Sequence, residues 1–538
     1  MRKLGYLLAA VLPAAAVAQP ARPPRLIVAI SVDQLSSDLF DEYRGQFRGG
    51  FARLAQGSVF PNGYQGHAAS ETCPGHSTIL TGARPSRNGI IANNWFDLGA
   101  ARSDKAIYCA EDEHVAGSSS SSYTVSPLHL KVPTLGELMK ARDPASRTVA
   151  VAGKDRAAVM MTGQRPDQRW YWNGKTFATD LKAAPVPMSV VAANRAVAAL
   201  VASPGEALAS PPFCAARSRS VAVGETNVGS GKLARAAGDA RAFRATPAFD
   251  GMALALAARL IDELGLGRGA ASDLVAIGLS ATDYVGHTFG TRGEEMCLQL
   301  HSLDRDLGDF FRLLDSRGVD YAVMLTSDHG GEDLPERLRL SGVAEAARSL
   351  PELEPAALGK RLGAELKLAG PVLIGVSANG DIYFDRALKS ADLGRARTAA
   401  LAAYRAHPQV EAVFTSEQLA RTALPTTAPD RWTLAERARA SFDRARSGDL
   451  VVLLKRHITP IAVPGKGYVA THGSPWDYDR GVPIIFWRPG SVPNVRQEAI
   501  ETIDIMPTLA AMISLPIDQA KIDGKCLPKV TGIVCPPL

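Results

Sequence analysis

Three apolar stretches of the chain each lead to an acidic residue. They are residues 26–32 before Asp33, residues 273–279 before Asp283, and residues 321–327 before Asp328. Near-continuous runs of Val, Ile and Leu are typical of parallel strands that are buried on both faces. Because chemistry in open α/β sheets collects at the carboxyl ends of such strands, the three acids are predicted to meet at one edge of a sheet.

Other patterns predict further parts of the same sheet. Residues 147–152 read as a short strand that leads to Lys154 and Arg156, and residues 482–487 read as another strand. Thr72 is followed by a proline two positions later, which predicts a helix with Thr72 as its N-cap. The sequence therefore predicts an α/β fold with a central, mostly parallel sheet flanked by helices.

Two long segments interrupt this pattern. Residues 160–245 have weak periodicity and are rich in Ala, Pro and Arg, whereas residues 332–465 contain helical patterns and a strand predicted at residues 371–376. We interpret residues 19–538 as one domain with two large insertions, which shape the entrance to a cleft.

Composition narrows the choice of function only slightly. Of the 538 residues, 46% are hydrophobic, which fits a folded globular protein with a large core. The net charge of +6 is spread over 60 basic and 54 acidic residues, so nucleic acids and anionic membranes are not expected partners.

The N-terminus predicts export from the cytoplasm. A short basic region, an apolar core and an Ala-x-Ala sequence make residues 1–18 a predicted signal peptide, with Gln19 as the mature N-terminus. No later stretch approaches the ~20 apolar residues of a membrane helix, so no membrane anchor is expected. The periplasm or the medium is the predicted location.

Six cysteines in an exported chain predict three disulfides. Cys526 and Cys535 are close enough in the sequence to pair with each other. The other four, Cys73, Cys109, Cys214 and Cys297, could pair in three ways, and proximity in the sequence favours Cys73 with Cys109 and Cys214 with Cys297. None has the C-x-x-C spacing of a cysteine zinc site.

Seven metal-type side chains occupy five separate stretches of the chain. They are Asp33, Thr72, Asp283, His287, Asp328, His329 and His472. Asp283 and His287 are four apart and share one face of a helix. Asp328 and His329 can reach one metal only if their strand ends there, which the following glycine pair supports. Carboxylates and imidazoles from separate elements predict a two-metal hydrolase. The histidines at positions 67, 114, 129, 301, 407 and 457 are interpreted as structural.

Several motifs together resemble the alkaline phosphatase superfamily, in particular the phosphate-irrepressible bacterial alkaline phosphatases with a threonine nucleophile. They are Val32-Asp33, Thr72-Cys73-Pro74-Gly75-His76, Gly89-Ile90-Ile91-Ala92-Asn93, Asp283-x-x-x-His287, Thr326-Ser327-Asp328-His329-Gly330, His472-Gly473 and Asp504-Ile505-Met506-Pro507-Thr508. The resemblance covers nearly the whole mature chain.

The resemblance implies two zinc ions per chain. One would be held by Asp283, His287 and His472, and the other by Asp33, Asp328 and His329 with Thr72. It also implies that Thr72 forms a phosphothreonine, with Asn93, Lys154 and Arg156 binding the phosphate. The implied activity is hydrolysis of a broad range of phosphate monoesters, such as sugar phosphates, nucleotides and aryl phosphates, by a monomer.

Other functions fit these residues less well. A phosphodiesterase or nucleotide pyrophosphatase of the same superfamily would share Thr72 and Asn93, but Lys154 and Arg156 suit the additional charge of a monoester. A metal-binding protein without catalysis would need neither this pair nor Thr72. A sulfatase needs Cys or Ser in C/S-x-P-x-R, which is absent here. A nucleotide-binding module fits still less well, because the Gly-Ser-Gly-Lys at residues 229–232 lacks the upstream spacing and the trailing hydroxyl of a P-loop.

Overall fold

A computed structural model of the protein describes residues 22–229, 231–530 and 533–535. The predicted signal peptide at residues 1–18 and the predicted N-terminal Gln19 lie outside these ranges. Within them, no helix combines the length and the apolar character needed to span a bilayer.

The largest sheet in the described residues has ten strands, and its five central strands are parallel. In spatial order it contains Asn494–Val495, Ser58–Tyr64, Gly481–Trp487, Tyr321–Thr326, Leu26–Val32, Asp273–Leu279, Thr148–Ala152, Gln168–Trp172 and Phe177–Ala178, and Ile500–Glu501 pairs with Ser58–Tyr64. Val32 lies opposite Leu279 and Ser31 opposite Thr326, so the carboxyl ends of three central strands are level. The predicted mostly parallel sheet is confirmed.

Helices cover both faces of this sheet, which explains why its central strands are largely apolar. Leu26, Val28 and Ile30 pack into the core beneath the helices Pro247–Glu263 and Glu294–Ser316. Ile27 and Ala29 point to the opposite face, where the helices Thr72–Thr81, Asp155–Thr162 and Ile505–Met512 pack. The other α-helices are Ser37–Tyr43, Gly50–Leu54, Pro85–Asn88, Leu135–Arg142, Met188–Ala202, Pro212–Ala215, Ala240–Phe243, Ala281–Phe289, Pro335–Leu340, Pro355–Leu366, Ser390–Ala406, Ser416–Arg421, Leu434–Ser441 and Asp477–Arg480.

A second sheet of four antiparallel strands has a hydrophobic core of its own. Its strands, in spatial order, are Leu373–Ile374, Gly380–Phe384, Leu450–Leu454 and Val410–Thr415. The helices Pro355–Leu366 and Ser390–Ala406 pack against it. Three small two-stranded sheets pair Ala347–Arg348 with Ile458–Thr459, Asn94–Phe96 with Ala106–Tyr108, and Val221–Val223 with Thr226–Val228.

All six cysteines form disulfides in the predicted pairs. They are Cys73–Cys109, Cys214–Cys297 and Cys526–Cys535. The first joins the start of the helix Thr72–Thr81 to the residue after the strand Ala106–Tyr108. It therefore crosslinks two elements that contribute to the candidate site.

Two local features differ from the sequence expectation. The N-cap of the helix Thr72–Thr81 is Glu71 rather than Thr72, because Glu71 is still extended and the Thr72 side chain is directed to Lys154. The strand Gln168–Trp172 was not predicted, since its polar residues interrupt the apolar pattern. Arg169 in this strand is only 1% exposed. Its guanidinium pairs with a neighbouring carboxylate, and this pairing makes its charge compatible with the protein interior.

Candidate active site

Two of the acids predicted from the strand pattern meet His329 at one edge of the main sheet. The backbone N–H of Asp33 donates to the Leu279 carbonyl at 2.9 Å, so Asp33 continues its strand by one residue. The strand Tyr321–Thr326 ends two residues before Asp328, and Asp328 and His329 therefore reach the same centre. His329 Nε2 lies 3.4 Å from Asp33 Oδ1 and 3.3 Å from Asp328 Oδ2.

Asp283, the third of these acids, forms an adjoining group with His287 and His472. Asp283 and His287 are one turn apart on the helix Ala281–Phe289, and His287 Nε2 lies 3.2 Å from Asp283 Oδ1. His472 arrives from a loop, with Nε2 3.4 Å from the same oxygen. Its ring stacks on that of His329 at a centroid distance of 3.6 Å, so the two groups share a boundary.

The three histidines are oriented alike. Their Nδ1 atoms contact backbone carbonyl oxygens: His287 that of Ala470 at 2.7 Å, His329 that of Gly330 at 2.8 Å and His472 that of Ser70 at 2.8 Å. Since a carbonyl oxygen can only accept, each Nδ1 carries a proton, and Nε2 is the ring nitrogen left to face a metal ion. Burial lowers the pKa of His329 to about 3, which keeps this ring neutral.

The buried polar atoms at this centre fit a pair of metal ions. Asp33 Oδ1, Asp283 Oδ1 and His329 Nε2 are buried and make no hydrogen bond to a described residue. The ligand atoms of Asp283, His287 and His472 lie within 4.8 Å of one another, as do those of Asp33, Asp283 and His329. Asp283 thus borders both groups. Carboxylates combined with neutral imidazoles suit divalent transition metals such as zinc.

Thr72, Lys154 and Arg156 lie together beside these groups. Thr72 Oγ1 is 3.4 Å from Lys154 Nζ and 3.5 Å from Arg156 Nη2. Lys154 Nζ is also 2.6 Å from Asp33 Oδ2 and 2.6 Å from Asp283 Oδ2. Burial by itself lowers the pKa of Lys154, but these two carboxylates outweigh burial and raise the pKa above its ordinary value. Lys154 therefore remains an ammonium ion.

Asn93 is placed against the start of the Thr72 helix. Its Oδ1 accepts from the Cys73 backbone N–H at 2.8 Å, and its own backbone N–H donates to Glu71 Oε2 at 2.6 Å. Because Oδ1 must face the Cys73 N–H, the amide NH₂ group points the other way, where it can donate to a ligand. Asn93 was predicted, whereas Glu71 was missed by sequence reasoning.

A cleft of about 340 Å³ opens onto these side chains. Asn93, Arg156, His287 and His472 contribute to its wall, and so do residues of the second sheet such as Tyr383. The structure thus brings together all ten predicted site residues, seven of metal-ligand type and three for binding an anion. The cleft thus combines two groups of metal-type side chains with one hydroxyl and two cationic side chains. This combination can support the transfer of an acyl or phosphoryl group.

Comparisons with known proteins identify the family. A family model described as type I phosphodiesterase / nucleotide pyrophosphatase matches residues 27–475. Alkaline phosphatase PhoK of Sphingomonas sp is 52% identical over 516 residues, which cover 95% of this chain and 92% of that protein. The chain belongs to the alkaline phosphatase superfamily.

Further members of the superfamily agree with this assignment. Alkaline phosphatase PhoD of Zymomonas mobilis is 48% identical over 508 residues, covering 94% of this chain and 88% of that protein. The crystal structure of alkaline phosphatase PafA aligns with a TM-score of 0.81 and 25% identity, over 95% of this chain and all of that one. The resemblance predicted from the motifs is confirmed. Although the family model carries the name of diesterases, the relatives near half identity are named alkaline phosphatases.

His76 lies at the candidate site, although the sequence analysis gave it no role. Its Nδ1 lies 2.9 Å from the Thr72 carbonyl oxygen and 3.1 Å from Asp328 Oδ2. The ring is fully buried and joins the Thr72 helix to a candidate metal ligand. Its position four residues after Thr72, on the same helix face, was the signal that could have revealed it.

We expect His76→Ala to weaken metal binding and activity by about 10- to 100-fold, the usual effect of removing a group that orients a ligand. The measurement is phosphatase activity as a function of free zinc. Excess zinc should restore part of the activity, and His76→Asn, whose amide can donate near the Nδ1 position, should lose less. Equal losses in both variants at saturating zinc would show that His76 only fills space.

Tyr108 and Asp155 support Arg156 from the side away from Thr72. Tyr108 Oη donates to Asp155 Oδ1 at 2.7 Å and lies 3.4 Å from Arg156 Nη1. Tyr123 Oη donates to the other oxygen of Asp155 at 2.8 Å, and the two tyrosine rings pack at 4.5 Å. Tyr108 thus reaches the guanidinium, whereas Tyr123 contacts the shared carboxylate and the Tyr108 ring.

This difference makes the two tyrosines a matched pair for a test. We expect Tyr108→Phe to lower kcat/KM for a phosphate monoester by about 2- to 10-fold, the value of one hydrogen bond. Tyr123→Phe should change it less. In an Arg156→Ala background the effect of Tyr108→Phe should disappear, as a double-mutant cycle would show. An unchanged effect in that background would mean that Tyr108 does not act through Arg156.

Proposed function

We propose that the protein is a zinc-dependent alkaline phosphatase that hydrolyses phosphate monoesters through a phosphothreonine at Thr72. The observation that chiefly supports this is the position of the Thr72 hydroxyl, within 3.5 Å of Lys154 and Arg156 and next to two groups of metal-type side chains. The relatives named alkaline phosphatases add independent support.

The proposed ligand sets follow the resemblance. Asp283, His287 and His472 would hold one zinc ion, and Asp33, Asp328 and His329 with Thr72 would hold the other. Zinc at these positions supplies positive charge that lowers the pKa of a bound hydroxyl and stabilises a leaving oxygen. The inward-facing Nε2 atoms and the buried carboxylate oxygens support these assignments.

In the proposed reaction, Thr72 Oγ1 attacks phosphorus in line with the leaving group. A bond forms between Oγ1 and phosphorus, and the bond from phosphorus to the ester oxygen breaks, which releases an alcohol and leaves a phosphothreonine. Water then cleaves that ester and releases inorganic phosphate. Lys154 would supply positive charge beside the nucleophile, because its Nζ lies 3.4 Å from Thr72 Oγ1.

Three side chains would bind the phosphate oxygens. The Asn93 amide donates one hydrogen bond, while Lys154 and Arg156 compensate the two negative charges of a monoester. A diester carries only one charge and an additional organic group, so it gains less from this pair. The proposed preference is therefore for monoesters over a broad range of leaving groups.

The test compares kcat/KM for p-nitrophenyl phosphate and bis-p-nitrophenyl phosphate on zinc-loaded mature protein. We expect the monoester to be preferred by at least 10²-fold, since two charge-assisted hydrogen bonds contribute roughly 3 kcal/mol or more. A preference for the diester would instead identify a phosphodiesterase of the same superfamily. Binding of zinc without turnover of either substrate would indicate a metal-binding protein.

We also propose that the protein acts outside the cytoplasm, in the periplasm or the medium. Three disulfides support this location, because such bonds persist mainly in oxidising compartments.

A further inference from the structure

A second cluster of metal-type side chains lies on the loop that follows the strand Ala106–Tyr108, apart from the residues proposed to hold the catalytic zinc ions. It consists of Asp112, Glu113, His114 and His129. Donor atoms of the first three lie within 4.8 Å of one another. His129 lies against this group, because its Nε2 is 3.2 Å from Glu113 Oε2. The sequence analysis had treated both histidines as structural.

Three of the donor pairs have spacings near those of a tetrahedral site. Two ligands that each lie ~2.0–2.1 Å from a tetrahedral zinc ion are about 3.3 Å apart. His114 Nδ1 is 3.2 Å from Asp112 Oδ1 and 4.0 Å from Glu113 Oε2. With the 3.2 Å contact of His129, three donor pairs are therefore within several tenths of an ångström of that spacing.

The environment of His129 gives an independent indication of a ligand. The residue is only 6% exposed, and neither its Nε2 nor Glu113 Oε2 makes a hydrogen bond with the described residues, although the two atoms are in contact. A buried imidazole nitrogen without a hydrogen bond, next to a carboxylate oxygen in the same condition, is accounted for by an ion bound between them.

We propose that Asp112, Glu113, His114 and His129 form a third metal site, which binds zinc or a similar divalent transition metal. Two imidazoles with two carboxylates favour such ions over magnesium and calcium, which prefer oxygen ligands alone. The four residues leave no obvious position for a substrate, so the role of the site is structural.

The neighbours of the site connect it to the cleft. The His129 ring meets the Trp95 ring edge-on at 5.0 Å, and Trp95 lines the cleft. Arg446 Nη1 donates to the His129 carbonyl at 2.8 Å and its guanidinium lies over the same tryptophan. A metal ion here would fix the loop between Cys109 and His129, which includes the serine run at residues 118–122, against the wall of the cleft.

The experiment counts zinc ions per chain by mass spectrometry after zinc loading and removal of loosely bound metal. We expect His114→Ala and His129→Gln each to hold one ion fewer than the wild type. His301→Ala, which removes an exposed histidine elsewhere, should hold the same number as the wild type. The comparison depends on the difference in zinc content, so it is independent of how many ions the catalytic groups bind.

Two further readouts separate loss of the site from a general defect. The His114 side chain is 75% exposed, so His114→Ala should fold and keep its turnover of p-nitrophenyl phosphate. Zinc should protect the serine run at residues 118–122 from limited proteolysis in the wild type but not in this variant. Equal zinc contents in the wild type and both variants would overturn the proposal, and so would equal protection by zinc.

Discussion

Thr72→Ala should abolish turnover while leaving the metal groups in place. We expect kcat for p-nitrophenyl phosphate to fall on the order of 10⁴- to 10⁶-fold, the range found when an enzyme loses its covalent nucleophile. The physical reason is that alanine has no hydroxyl. The variant therefore lacks the proposed nucleophile beside Lys154 and Arg156. Steady-state kinetics combined with a zinc determination on the same sample is the measurement.

Thr72→Ser is the matched control, because it keeps the hydroxyl and removes only a methyl group. It should retain most of the activity and should still trap a phosphorylated chain at low pH, whereas Thr72→Ala should trap none. If Thr72→Ala kept near-normal turnover with its metals bound, the phosphothreonine mechanism would be wrong.

Much of the site was predictable because its residues follow strands that are easy to recognise. The strands before Asp33, Asp283 and Asp328 are buried on both faces, so their sequences are nearly continuous runs of apolar residues. Parallel strands in register bring the residues after them to the same edge. The convergence of three distant acids therefore needed only the strand pattern. Assigning the residues to particular zinc ions and to phosphate needed the resemblance to a family.

The residues that sequence reasoning missed act through contacts between distant elements. Tyr108 reaches Arg156 across 48 positions, and no local pattern marks a tyrosine as the partner of an arginine. Glu71 accepts a hydrogen bond from Asn93 in the same way. Gly75 shows how close the packing is, since a Cβ atom there would lie 1.9 Å from the Asp328 carbonyl oxygen. Close approaches of this kind depend on the assembled fold, and a single sequence does not contain them explicitly.

The Lys154→Ala/Arg156→Ala double variant should lose its discrimination between monoesters and diesters. We expect kcat/KM for p-nitrophenyl phosphate to fall about 10²- to 10⁴-fold, because each charge-assisted hydrogen bond contributes roughly 1.5–3 kcal/mol. For bis-p-nitrophenyl phosphate the loss should be less than about 10-fold, since its single charge makes less use of the pair. The ratio of the two kcat/KM values is the measurement.

Lys154 requires an additional control because it also neutralises Asp33 and Asp283, at 2.6 Å from each. Removing Lys154 leaves two buried carboxylates without the positive charge between them, so that they repel each other. This repulsion can change the affinity for metal ions, which would lower activity on both substrates. Arg156 is at hydrogen-bonding distance from Thr72 and Tyr108, so Arg156→Ala alone should lower only the monoester rate. Lys140→Ala, which breaks a 2.7 Å ion pair with Asp167 in another part of the chain, should change neither rate. Equal losses on both substrates with Arg156→Ala at full zinc content would mean that the guanidinium supports catalysis in general and does not read the charge of the substrate.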